Sequence, residues 1–309
     1  MLLGISDLDK DALQKGILQD NALNVDQLNS FVVRVRNVGQ RLYRDFPWRG
    51  ASDAYAVLIS EVMLQQTQVS RVLARWDAWL EAFPSIDALA AASLADVLER
   101  WQGMGYNRRA IALKRCADIL SEEYGGQVPN TYEELIALPG IGATTAAGVC
   151  VFAYQIPQVY LETNVRTVFI HEFFAEQETV SDREIIPLVM QTCPEKDPRS
   201  WYYALLDYGA HLKKTIPNPS RRSAQYHRQS AFVGSVRQKR AELLRLALGQ
   251  AGLATEELAE QLSALERAAG RQDVPTGEVI VMLEALEREG FLSSHSGYWF
   301  ISSKPGIKL

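Results

Sequence analysis

The sequence predicts a mainly α-helical protein, and three observations carry that expectation. Apolar residues recur at helical spacing over long stretches, few segments alternate apolar with polar residues, and Gly, Pro and polar turns cut the helical stretches short. With 309 residues the chain can bury a substantial core as one large domain or two smaller ones. Its hydrophobic fraction of 47% and charged fraction of 22% are those of an ordinary globular protein. No apolar run reaches the roughly 20 residues that cross a bilayer. The opening MLLGISDLDKDALQKG carries acids where a secretory signal would be basic and then apolar, so a cytoplasmic protein is expected.

Residues 1–28 read as an extension leading into a helix over 28–45, which Pro47 and Trp48 end. Further helices are expected over 53–68, 70–82, 85–91, 93–102 and 108–124. Thr131 and Glu134 have capping-box spacing, so a helix starts there and runs into LPGIG at 138–142, with another helix from about 143. Residues 215–235, with TIPNPSRRS and little periodicity, read as a long surface connection. Beyond it come helices over 237–248, 255–269 and 276–289, and SGYWFIS at 296–302 supplies strand residues after a glycine. Three helices and a terminal hairpin resemble a winged helix. The expected division is therefore an extension (1–28), a helical domain (29–235) and a winged-helix-like unit (236–309). Acids outnumber bases over 241–296, and the third helix carries Glu278, Glu284, Glu287 and Glu289, which favours packing or contact with a protein partner over groove reading.

The net charge of -5 hides an uneven distribution. Lys213, Lys214, Arg221, Arg222, Arg228, Arg237, Lys239 and Arg240 follow one another with no acid between them. Such a run suits backbone phosphates, whose neutralisation releases counterions; a solvated basic loop has the same composition. Cys116, Cys150 and Cys193 are far apart without CxxC spacing, so no zinc or iron–sulfur site is expected and each reads as a reduced, packed thiol.

Four motifs could carry chemistry. In LPGIG, glycines flanking Ile141 allow a tight hairpin between helices, and the next helix offers free N–H groups to an anion; an ordinary helix corner is the plainer alternative. In SEVMLQQTQV (60–69), Glu61 lies among Val57, Leu58 and Leu64, where lost solvation favours a neutral carboxyl and hence an acid. A buried structural Glu is the equal alternative. Gln65, Gln66 and Gln68 suit base edges or a gap in a duplex, or plain solvent. GMGYNRRA (103–110) puts Tyr106 on a glycine turn before Arg108 and Arg109, an aromatic–arginine mix that suits nucleic acid or a core ring with surface cations. In LETNVRTV (161–168), Glu162 and Asn164 are polar in apolar surroundings. A second carboxylate would suit oxocarbenium chemistry at a sugar; a helix N-cap is the alternative, open also to Thr163 or Asn164.

Taken in order, FPWR (46–49), SEVMLQQTQV, WQGMGYNRRA (101–110), TYEELIALPGIG and DYGAHLKK (207–214) resemble the MutY-type adenine DNA glycosylases of the endonuclease III superfamily over about residues 38–214. The resemblance implies a helix-hairpin-helix glycosylase fold of two helical subdomains with a cleft, acting in base excision repair on duplex DNA that holds a mismatched or damaged base, as a monomer, at the nucleoid in a bacterium. It implies Glu61 as the acid that protonates the base and Gln65 and Tyr106 as residues entering the helix at the flipped base. Trp48, Gln66 and Thr144 join them at the base pocket. Gly140 and Gly142 would hold phosphate through backbone amides, with Arg108, Lys213, Lys214, Arg221 and Arg222 as further phosphate contacts. Three departures stand out. The family's catalytic Asp falls on Glu162, with its neighbouring Asn on Asn164; a shift of around 1 Å in such a group can cost on the order of 100-fold in rate. Thr144 stands where bifunctional relatives hold a nucleophilic Lys, so no lyase chemistry is expected. The four cluster cysteines are missing after Lys214, and a winged-helix-like unit replaces the family's oxoguanine-reading domain. A monofunctional glycosylase, for adenine by default, is expected; a lesion-binding protein with reduced or lost catalysis is the alternative.

Overall fold

A computed structural model describes residues 25–51, 53–228, 230–250 and 252–303. The expected extension therefore lies outside the described residues up to residue 24, while 25–28 form the first turn of a helix. The described chain is mainly helical and divides into two compact units interleaved in sequence. The first comprises the described parts of Met1–Glu61, Pro129–Ala137 and Ile141–Arg228; the second comprises Val62–Val128, Leu138–Gly140 and the described parts of Gln229–Leu309. The C-terminal segment thus groups with residues 62–128 instead of standing apart, a difference from the linear division that sequence alone suggested.

In the first unit, α1 (Val25–Leu42) buries Phe31, Val35 and Gly39, a stripe at i, i+4, i+8. A Cβ on Gly39 would lie 2.3 Å from the Ala204 Cβ, so the missing side chain lets α1 meet α11 (Pro198–Thr215) closely. α2 (Ala54–Leu64) is apolar all round and buried on nearly every side, as its composition requires. Asp53 caps it, accepting from the Tyr55 and Ala56 amides at 3.3 and 3.2 Å. The helix is shorter than the expected 53–68, because Gln66 takes φ 51° and the chain turns. α7 (Tyr132–Ala137) leads into α8 (Ala143–Tyr154), and α9 (Thr163–Phe173) and α10 (Asp182–Thr192) complete this core, where Phe152, Tyr160, Val165, Phe169, Trp201 and Tyr202 pack together. The connection after α11 is tied down: Asn218 caps a 3-10 turn (Pro219–Arg222), and Val180 and Ser223 form a parallel bridge.

In the second unit, α3 (Val69–Ala82), α4 (Ile86–Ala91) and α5 (Leu94–Trp101) precede α6 (Arg108–Tyr124), which ends on Gly125 in the left-handed conformation. Ser85 and Ser93 cap α4 and α5 as their sequences require. The C-terminal part has the expected winged-helix order. α12 (Val236–Gly249), β1 (Leu253–Ala254), α13 (Thr255–Ala268), α14 (Thr276–Arg288), β2 (Leu292–His295) and β3 (Tyr298–Ile301) form three helices and an antiparallel sheet ordered β1-β3-β2. Its acids are partly spent internally. Glu287 accepts from Ser294 at 2.8 Å, and Glu289 receives arginines. No described helix is long and apolar enough to cross a membrane.

Candidate active site

Glu61 sits on α2 within the first unit, with its carboxyl between Gly148 of α8 and Tyr160. A Cβ on Gly148 would lie 2.2 Å from the Glu61 Oε2, so glycine is what leaves room for the carboxyl. The Tyr160 hydroxyl hydrogen-bonds Glu61, and burial raises the phenol well above its ordinary value, so it remains a donor. Tyr160 is itself fixed edge-on by Phe152 and Tyr202, at ring separations of 5.1 and 5.4 Å. Its amide donates to the Tyr202 hydroxyl at 3.2 Å. Desolvation pushes the Glu61 pKa up to about 8; the Tyr160 hydrogen bond opposes this and the field of Glu162 adds to it. Glu61 is therefore mostly protonated at neutral pH. Glu61 as a residue is half-buried, and the loss of solvation expected from its apolar neighbours falls on its carboxyl, where a partner tunes it.

Glu162 is the N-cap of α9. Its Oε1 accepts from the Asn164 amide and, at 3.0 Å, from the Val165 amide, while Asn164 Nδ2 donates to Oε2 at 3.3 Å. Of the residues open to the cap, Glu162 takes it. Capping does not remove it from the site: its charge bears on Glu61 and Tyr160. Desolvation raises its pKa, while the two amides, Lys213 and Arg166 pull it down. Asn164 Oδ1 is buried with no hydrogen-bond partner. Close approach of α11 to this helix start depends on Gly209, where a Cβ would lie 2.1 Å from the Asn164 carbonyl oxygen.

The FPWR and DYGAHLKK motifs meet. Asp207, buried on α11, accepts from Arg49 NH1 and NH2 at 2.7 and 2.9 Å and from Arg44 Nε at 2.5 Å. The Arg49 guanidinium lies 4.4 Å from the centroid of the Tyr203 ring. The two motifs are thereby tied together, and Arg49 contacts Tyr203, a phenol that feels the field of Glu61. Trp48 is 5% exposed and stacks on Phe46, so it packs in the core and offers no face to a base. Thr144 is exposed on the first turn of α8.

In the second unit, Gln66 (φ 51°) and Tyr106 (φ 48°) both take the left-handed conformation that side chains resist. Arg109 laces the two turns together. It donates to the carbonyls of Val62 (2.8 Å), Met63 (3.0 Å) and Gly105 (3.0 Å) and to Thr67 Oγ1 (2.8 Å). Burial lowers its pKa to about 10, leaving it charged. Tyr106 is 41% exposed, Gln66 is exposed and Gln65 half-buried. Gly140 has φ +74°, and its Cβ would lie 2.5 Å from that of Ala112. Gly142 caps α8 at φ -87° with open space beside it, so it needs glycine for neither reason expected of the hairpin.

The cationic candidates divide. Lys214 and Arg221 are exposed. Lys213 is half-buried in the field of Glu162. Arg222 is a structural tie and not a phosphate contact: it donates to the carbonyls of Gln177 (2.7 Å), Ala175 (3.0 Å) and Phe174, which fixes the loop after α9. Arg108 is paired with Glu289. Sequence reasoning missed Tyr160, Gly148 and Asp207. A lone glycine inside the apolar run ATTAAGVCVF was the one signal for Gly148, and nothing marked a tyrosine two residues before Glu162 as its neighbour across the site.

Residues 59–194 match the model of the HhH-GPD superfamily base excision DNA repair protein. The chain is 42% identical over 170 residues to the adenine DNA glycosylase of Mycolicibacterium smegmatis, covering 54% of this chain and 58% of that protein. It is 46% identical over 131 residues to that of Mycobacterium tuberculosis, covering 42% and 43%. The human adenine DNA glycosylase is 34% identical over 190 residues, covering 58% and 34%. The chain thus spans about half the length of the first of these relatives, and less of the human one. A thermostable thymine-DNA glycosylase superposes with a TM-score of 0.54 at 24% identity, covering 60% of this chain and 87% of that one. A non-covalent endonuclease III–DNA complex gives 0.55 at 19%, covering 63% and 90%. The fold is the helix-hairpin-helix glycosylase fold.

Proposed function

We propose that this chain, which carries an HhH-GPD base-excision repair domain over residues 59–194, is a monofunctional DNA N-glycosylase that flips a base from duplex DNA and hydrolyses its N-glycosidic bond. Adenine is the base favoured by the relatives' names. One observation carries the reading: a carboxyl with its pKa near 8, pinned between Gly148 and a tyrosine donor, beside a second carboxylate. Protonated Glu61 gives its proton to the leaving base, and the Tyr160 hydroxyl then stabilises the carboxylate that remains. Glu162, held by two amides on the start of α9, with Lys213 and Arg166 opposing the upward pull of burial on its pKa, stabilises the positive sugar. The unpartnered Asn164 Oδ1 accepts a hydrogen bond from the attacking water, which gives a proton to the Glu61 carboxylate as its oxygen bonds to the sugar carbon, restoring the acid. Thr144 has no amine, so no Schiff base forms and strand cleavage is not part of the reaction.

The superfamily's iron–sulfur cluster does not fit this chain. Such a cluster takes four thiolates and the chain has three cysteines. Cys116 and Cys150 are buried, and burial pushes their thiols up to about 12 and about 11, against metal-binding thiolates. The reading places the enzyme, as a monomer, in the cytoplasm with its DNA. The test is a panel of duplexes, each with one mispair or lesion and adenine opposite oxoguanine among them, treated with alkali after incubation. Base release from at least one substrate, falling by roughly 100-fold or more in Glu61→Gln, is expected. No break on any duplex, or undiminished release by Glu61→Gln, refutes the assignment. Glu162→Gln should lose release as well, which separates a working second carboxylate from a plain helix cap.

A further inference from the structure

Arg108 and Arg240 come from distant parts of the second unit, the start of α6 and the first helix of the winged-helix part, and converge on one carboxylate. Arg108 grips Glu289 through two nitrogens, both at 2.9 Å, and Arg240 NH2 reaches the same Oε1 at 2.7 Å. The carboxylate lies beneath its partners: the Glu289 side chain is 13% exposed against 24% for Arg240 and 63% for Arg108. Two cations on one anion leave a net positive charge, with like charges held together, the Arg108 side chain largely open to solvent and that of Arg240 partly so. A pair this exposed on the arginine side contributes little to stability. What it does supply is orientation, since a planar fork held on one edge presents the other to an incoming oxyanion. Arg108 also follows Tyr106 by two residues, on the turn that Arg109 braces.

We propose that Arg108 and Arg240, held side by side on the carboxylate of Glu289, form a binding site for a backbone phosphate of duplex DNA. The winged-helix part then takes part in DNA binding without entering a groove, and its acidic helix acts as the organiser of two cations. This rests on the reading that duplex DNA is the ligand, but not on base release.

The experiment is fluorescence anisotropy with the full chain and a fluorescein-labelled undamaged duplex, repeated over a salt series. Arg108→Ala and Arg240→Ala should each weaken binding about 10-fold and lower the slope of log affinity against log salt by about 1. Glu289→Gln should weaken binding too, although it removes a negative charge. Simple electrostatics predicts the opposite sign. Tighter binding by Glu289→Gln would make the carboxylate a competitor of phosphate and overturn the proposal. An unchanged affinity and slope in Arg240→Ala overturns it as well, and the variant at the more exposed Arg108 stays informative should Glu289→Gln fail to fold. Arg245→Ala, whose partner is Glu242, is the control expected to bind like the wild type. Wild-type protein that binds no duplex at all would instead refute the DNA reading itself.

Discussion

Gly148→Ala tests the geometry of the acid most sharply. The new Cβ would stand 2.2 Å from the Glu61 Oε2 and 2.8 Å from its carboxyl carbon. A relaxed carbon–oxygen contact needs about 3.3 Å, so one group must move by about 1 Å. The moving group is the end of a side chain, because the Tyr160 ring, whose Cε2 would be 3.0 Å away, is fixed by Phe152 and Tyr202. Stability should hardly fall, since alanine in a helix interior gains up to about 1 kcal/mol over glycine and the displaced carboxyl can rotate. Catalysis should fall by roughly 100-fold, the typical effect of a 1 Å displacement of a reacting group. Single-turnover base release and urea unfolding, run side by side, separate the two. A variant that releases base at the wild-type rate would show that the Glu61 carboxyl is not the acid in this position, and the catalytic argument would fall with it.

Gly209→Ala makes the contrasting case, because its Cβ would meet the Asn164 backbone oxygen at 2.1 Å, which cannot rotate away; a loss of about 1–3 kcal/mol or more in unfolding free energy is expected. Asp207→Asn leaves the buried Arg49 without its counter-charge and should cost about 3–5 kcal/mol by the same measurement. The raised pKa of Glu61 has two consequences. Activity that needs the protonated acid should be lost as pH rises through about 8, and Tyr160→Phe, lacking the hydrogen bond that lowers this pKa, should move that limb to higher pH in single-turnover profiles. The folded state also binds a proton that the unfolded state has released between pH 4.5 and about 8, so stability falls across that window in the wild type. Glu61→Gln should remove this dependence and gain on the wild type as pH rises, read from urea midpoints across the window.

Much of this protein is determined locally. Helical periodicity, the serine caps before α4 and α5, and the glycine before the terminal strand are properties of neighbouring residues, and the helices and the winged-helix order follow from them. Glu61 was legible for the same reason: a carboxyl flanked by Val57, Leu58 and Leu64 on one helix must lose solvent. The tertiary structure decided what depends on distant residues. Tyr160, held by Phe152 and Tyr202 after the end of α8, reaches Glu61 from far along the chain, and α8 admits the carboxyl only where it lacks a side chain at Gly148. Arg222 looked like a phosphate contact in a basic run, but three carbonyls after α9 take its donors. Trp48 looked available to a base, but packing of the folded chain leaves it only 5% exposed. Glu289 looked like part of an acidic surface until two arginines from other helices arrived at it. A charge in a sequence has a sign but no partner, and the partner, fixed by packing between residues as much as 181 positions apart, determines whether it binds, braces or reacts.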